Sequence, residues 1–153
     1  MKEILIASDH AGFNLKSKII GYLEKRSIKF RDLGTYSPER CHYPEFASRL
    51  ARQISRRKFD RGILICYSGI GNSIVANRYP GVRAALVHDL KTARLSREHN
   101  DSNILVLGAG FVSESRAKRI VDLWLKTAFS GGRHAKRLGQ LKIIEREIKK
   151  CKP

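Results

Sequence analysis

The chain has no hydrophobic run approaching the roughly 18–20 residues needed to cross a bilayer. Its first apolar stretch, Ile4-Leu5-Ile6-Ala7, stops at the polar Ser8-Asp9-His10 and is too short for a secretory leader. A cytoplasmic protein with no membrane partner is expected. Cysteine is scarce: Cys41, Cys66 and Cys151 form no CxxC pair and leave an odd thiol. That excludes a disulfide framework and a cysteine zinc site, and suits free thiols in a reducing compartment. Cys41, in a loop, and Cys151, in a basic tail, read as incidental. Acidic residues are few, 14 against 31 Lys+Arg, giving a formal net charge of +17. Such an excess favours an anionic partner: nucleic acid, an acidic membrane surface or an anionic substrate drawn in by steering. The basic residues are spread out, from Lys16, Lys18, Lys25 and Arg26 through Arg56, Arg57 and Lys58 to Lys149 and Lys150. No RNA-binding aromatic motif or zinc-finger spacing accompanies them, so specific nucleic-acid recognition is not expected. Internal repeats, low-complexity tracts and a second-domain boundary are missing too. With 153 residues, 42% of them hydrophobic, one domain over 1–153 can bury its own core.

What is present alternates. Short aliphatic runs predict strands at 4–7, 29–33, 62–66, 84–87 and 104–107. Between them, helical spacing predicts helices over 14–26, 44–56, 71–77, 90–99 and 114–128. A last helix follows Gly131-Gly132, with Leu138, Leu141, Ile144 and Ile148 on one stripe. That stripe suits either its own domain or a partner subunit. Nearly continuous apolar strands alternating with helices imply an α/β protein with a parallel sheet covered on both faces. Ligands of such folds bind beyond the carboxyl ends of the strands, at the switch point. The candidate loops are then 8–12, 66–71, 88–89 and 108–110.

Cys66-Tyr67-Ser68-Gly69-Ile70-Gly71 ends a strand and opens a helix. Backbone N–H groups and the helix dipole there favour an anion, so a lowered thiol pKa is expected for Cys66. A thiolate can take a proton from a carbon next to a carbonyl, and a glycine turn can gather N–H groups around the resulting oxyanion. A buried structural cysteine is the competing reading. Asp9-His10 pairs a carboxylate with an imidazole. His99, before Asn100-Asp101, is a candidate acid or base. Arg133 and Arg137 lie four apart, on one helical face, and can clamp a phosphate; a solvated basic helix is the alternative.

The order of these segments is more specific than any one of them. Ser8-Asp9-His10-Ala11-Gly12, Gly34-Thr35, Tyr43-Pro44, Gly62 to Cys66, Ser68-Gly69-Ile70-Gly71, Leu95 to Asp101 and Gly131-Gly132-Arg133-His134 occur together. The chain resembles the ribose-5-phosphate isomerase B family, within the group that includes galactose-6-phosphate isomerase. The resemblance runs from Lys2 to about Ile148. It implies a Rossmann-like three-layer fold with a five-stranded parallel sheet and a C-terminal helix. It also implies interconversion of D-ribose 5-phosphate and D-ribulose 5-phosphate with no metal or organic cofactor. Homodimers or homotetramers with shared sites are implied as well. Cys66 corresponds to the proton-transferring base, and Ser68, Gly69, Ile70 and Gly71 to the anion-stabilising loop. His99 corresponds to the ring-opening residue with Asp9 nearby. His10, Arg133 and Arg137 correspond to the phosphate site, and Asn100 to a substrate contact.

Four positions depart from the family pattern. Tyr67 stands where glycine usually follows the cysteine, Ser68 where threonine is usual, Gly110 where many members have arginine, and His42 where aspartate is common. Tyr67 thereby becomes a substrate-site residue, and a six-carbon sugar phosphate becomes an alternative substrate. A silent sugar-phosphate binder is a further alternative.

Overall fold

The computed structural model describes residues 3–150; Cys151 lies outside them. The order of elements is β1 (Ile4–Ser8), α1 (Phe13–Lys25), β2 (Phe30–Asp32), α2 (Tyr43–Ser55), β3 (Gly62–Cys66), α3 (Ile70–Ala76), β4 (Ala84–Leu86), α4 (Leu90–Glu98), β5 (Ile104–Gly108), α5 (Glu114–Lys126) and α6 (Arg133–Lys150). All strand pairs are parallel, in the spatial order β2-β1-β3-β5-β4. The chain moves one way from β1 to β2 and the other way from β2 to β3. Right-handed crossovers therefore put α1 on one face of the sheet and α2 on the other. The packing follows: α2 lies on α3, and α5 lies beside both α1 and α4.

Strand periodicity divides the core. Ile4, Ile6, Ile63, Ile65, Leu105 and Leu107 face α1, α4 and α5. Leu5, Ala7, Leu64, Ile104 and Val106 face α2 and α3. The central strands β1, β3 and β5 are buried along their whole length, hence their uninterrupted apolar runs. Each fully buried Leu or Ile contributes about 1.5–3 kcal/mol by leaving water. Trp124 is fully buried beneath α4, its Nε1–H donating to Ser102 Oγ at 2.8 Å.

The expected elements are all present, with ends moved by one or two residues. β2 is shorter than its 29–33 stretch because it is an edge strand paired only through Phe30, Arg31 and Asp32. A 3-10 turn at His10–Gly12 was not evident from the apolar pattern; Asp9 caps it by accepting the Gly12 N–H at 3.0 Å. Lys16, counted among the basic side chains of the sequence, does not contribute surface charge. It is 1% exposed, and its Nζ donates to Asp32 Oδ1 at 2.6 Å. The same carboxylate accepts the Gly34 N–H at 2.9 Å, so the pair, buried at its lysine end, anchors the loop after β2. α6 leans on its own protomer chiefly through His134 and a Glu145 Oε1 bond to the Gly81 N–H at 2.8 Å. Leu141, Ile143, Ile144 and Ile148 of that helix are exposed.

Candidate active site

The switch point lies between β1 and β3, where the chain turns from one face to the other. Cys66 is the last residue of β3, beside Gly108 of β5, and only 5% exposed. Its Sγ accepts the Gly69 N–H at 3.1 Å. Gly69 has a φ of 81°, and a Cβ there would lie 2.3 Å from Leu86 Cδ1, so only glycine permits this turn. Ser68 Oγ accepts the Ile70 N–H at 3.2 Å, just inside α3. The loop thus curls its N–H groups toward the sulfur and the space above it.

The electrostatics overturn one expectation. The Cys66 thiol is pushed up from its ordinary value of 9.0, not down. Burial is the largest cause; N–H groups of Gly69, Asn72 and Ser68 oppose it, and the Asp9 carboxylate adds to the rise. α3 is only seven residues long, and its few donors do not outweigh the lost hydration of a thiolate. The thiolate fraction therefore grows as pH rises through the elevated pKa. Alkylation of Cys66 by iodoacetamide, followed by peptide mass spectrometry, is expected to accelerate beyond pH 9; a plateau near pH 7 would contradict the burial argument.

Asp9, 7% exposed, directly follows β1 and caps the 3-10 turn. His10 follows on the 3-10 turn, with Nδ1 3.1 Å from Cys41 O and 3.3 Å from Cys41 N. Cys41 thus touches His10 through its backbone and, at 4.0 Å, through its Sγ. Tyr67 projects outward, 64% exposed, edge-on to Phe111 with ring centroids 6.1 Å apart. A Cβ on Gly110 would lie 2.8 Å from the Tyr67 ring. The two departures are thus one: the tyrosine ring fills the space a side chain at 110 would need. Asn72 lies on the sheet-facing side of α3 with Ala76, 1% exposed, and neither atom of its carboxamide has a hydrogen-bond partner among the described residues.

A second group forms at the other end of the sheet. His99 caps α4 and precedes β5, so it sits by the amino ends of the strands. Its turn is held firmly. Asp101 accepts from Arg83 and Arg97, both at 2.8 Å, and Arg97 also reaches Ser102 O at 2.6 Å. Asn100 is exposed, its carbonyl bonded to Arg83 at 2.9 Å. The start of α6 joins this group. His134 stacks on His99 with centroids 4.1 Å apart and planes 10° from parallel. Arg133 and Arg137 are exposed beside it.

A family profile described as ribose/galactose isomerase matches residues 4–141. The chain belongs to the ribose/galactose isomerase family. It is an enzyme of the isomerase class. It is 43% identical over 145 residues to ribose-5-phosphate isomerase B of Escherichia coli (strain K12), covering 95% of this chain and 97% of that one. The ribose-5-phosphate isomerase B structure from Clostridium thermocellum superposes with a TM-score of 0.93 at 47% identity, over 96% of this chain and 99% of that chain. That from Mycoplasma genitalium, with bound ribulose-5-phosphate, gives 0.90 at 41% identity, over 95% and 97%.

Within this isomerase the site residues anticipated from sequence fall into two sets. Asp9, His10, Cys66, Tyr67, Ser68, Gly69, Ile70 and Gly71 share the carboxyl end of the sheet. His99, Asn100, Arg133 and Arg137 share the amino end. The five residues of β5 alone separate the ends by about 16 Å, so one protomer does not bring Cys66 and His99 together. His134 was missed as a site residue; the Gly-Gly before Arg133 marked the turn but not the histidine stack. Among the described residues, no group of three or more His, Cys, Asp or Glu is placed to hold a metal ion, and no helix is long and apolar enough to cross a membrane.

Proposed function

We propose that this isomerase, acting as one catalytic domain, interconverts D-ribose 5-phosphate and D-ribulose 5-phosphate at sites assembled from two copies of the chain. The observation that carries the reading is the Cys66 thiol at the end of β3, ringed by N–H groups of the following loop. The relatives named for this activity, one of them holding ribulose-5-phosphate, support the substrate.

Completion of the site by a second copy follows from the split. The carboxyl end of one protomer supplies Asp9, His10 and the Cys66 loop. The amino end of its partner supplies His99, Asn100 and the α6 arginines. The exposed apolar stripe of α6 and exposed Tyr43, Ile70, Ile74 and Phe111 provide surface to bury between copies.

The chemistry then runs in order. Arg133, Arg137 and His10 hold the phosphate, fixing the sugar far from the reacting carbons. His99, with Asp9 facing it, moves a proton between the anomeric hydroxyl and the ring oxygen to open the furanose. Cys66 thiolate removes the proton from C2 of the open aldose. The C–H electron pair forms the C1–C2 double bond, and negative charge collects on O1. N–H groups of the 68–71 loop bind that oxyanion. The proton returns to C1, and the Ser68 hydroxyl passes the O2 proton to O1, leaving a ketone at C2.

The test is ketose formation from D-ribose 5-phosphate by the purified protein, beside allose and galactose 6-phosphates. Conversion of the pentose phosphate is expected. Conversion of a hexose phosphate alone would transfer the reading to the six-carbon sugars, and conversion of none by folded protein would leave a silent binder. Tyr67 and Gly110 bear on the same choice. Tyr67→Gly with Gly110→Arg is expected to lower KM for the phosphorylated sugar, while Gly110→Arg alone, which has to displace the tyrosine ring, gains less.

A further inference from the structure

His99 needs a defined ring plane to pass a proton between two sugar oxygens, yet it lies on a short turn between α4 and β5 and is only part-buried. One contact defines that plane. The imidazole of His134 lies flat on it, centroids 4.1 Å apart and planes within 10°. His134 itself is 8% exposed and cannot easily swing away. Its backbone is clamped as well. Ser130 N–H donates to Glu98 O at 3.0 Å, and His134 N–H donates to Gly131 O at 3.0 Å. Gly131 and Gly132, at φ 66° and 53°, allow the chain to turn sharply enough to bring the ring over α4.

We infer that His134 is a positioning residue whose ring holds His99 in the orientation that opens the sugar ring. The inference rests on the reading of His99 as the ring-opening group. Stacking at this distance also disfavours charge on both rings at once. Burial, then the charges of His99, Arg133 and Arg137, push the His134 pKa down, which favours the neutral form of the supporting ring. His134 then acts by its flat face, and its nitrogens are dispensable.

The ring-opening step can be isolated chemically. D-Ribose 5-phosphate closes through O4, whereas its 4-deoxy analogue has no oxygen at that position and stays open. Both are assayed with the full-length wild type and with H99N, H134A and H134F. H134A is expected to cut kcat on ribose 5-phosphate by about tenfold or more, part of the roughly 10²–10⁴-fold that a positioned acid–base group contributes, while the open analogue changes by less than about twofold. H134F keeps a flat ring and is expected to stay within about threefold of wild type on both substrates. Three results would overturn the inference: equal loss on both substrates in H134A, a raised KM with kcat intact, or loss in H134F matching that in H134A. H99N separates the two readings. If H99N itself fails to discriminate between the substrates, the ring-opening reading of His99 falls and this inference falls with it. If H99N discriminates and H134A does not, only the positioning role falls. Thermal melts show that each variant is folded, and H134F remains informative should H134A not fold.

Discussion

Cys66→Ser is expected to lower kcat for D-ribose 5-phosphate by about 10²–10⁴-fold, the range that a positioned general base contributes. The geometry survives the change. Serine is nearly the size of cysteine, and its Oγ can still accept the Gly69 N–H that now points at sulfur at 3.1 Å. What changes is proton affinity. Burial already holds the thiol above 9.0, and a hydroxyl in the same place starts several units higher. The fraction of base form near neutrality therefore becomes negligible. Binding has no reason to follow. The phosphate contacts proposed for His10, Arg133 and Arg137 do not involve the sulfur, so D-ribitol 5-phosphate, which has no carbonyl to enolise, should bind the variant with unchanged Kd. Near-normal turnover in Cys66→Ser would remove the thiol from the mechanism. Lost turnover with lost binding would make it a packing residue of the β3 end.

The limits of the sequence reading fall along a physical line. Apolar runs such as Gly62–Cys66 and Ile104–Gly108 are legible because a strand buried on both faces tolerates no polar interruption. Helix starts are legible where a cap is local: Asp89 accepts the Thr92 N–H and Ser113 the Arg116 N–H, each three residues on. Contacts between distant segments are not. Tyr67 over Gly110 and His99 on His134 join residues more than thirty positions apart, and nothing in their local composition announces them. The thiol pKa was misjudged for a related reason. The N–H groups that lower it are encoded locally in Ser68-Gly69-Ile70, but the burial that raises it comes from the packed sheet. The division of the site between two ends was, by contrast, written in the order of elements. Ser8-Asp9-His10 and Cys66 lie at or just past strand ends, while His99 and Arg133 come after α4 and α5, the helices that return to the amino ends. In a parallel sheet those two kinds of loop lie on opposite edges.

That division supports a sharp expectation for mixed assemblies. Cys66→Ser and His99→Asn are each expected to be nearly inactive as pure preparations. If every site takes its thiol from one copy and its imidazole from another, a mixed dimer has one site carrying both lesions and one carrying neither. The intact site joins Cys66 of the His99→Asn chain to His99 of the Cys66→Ser chain. Random assortment makes half of the dimers mixed, each with one working site of two, so co-expression at equal levels should restore about a quarter of wild-type activity. Differently tagged chains allow the mixed dimer to be isolated, where about half is expected. A site built within one protomer predicts the opposite: every site keeps its own lesion, and mixing two inactive chains restores nothing. The about 16 Å spanned by a five-residue strand makes that second outcome hard to reconcile with a thiol and an imidazole serving one five-carbon sugar. Recovery on mixing would therefore establish in one measurement that both residues are needed and that they meet only across the interface. Absence of recovery, with mixed dimers demonstrated by their tags, would mean that one protomer supplies both groups and would overturn the assembly of the site from two copies.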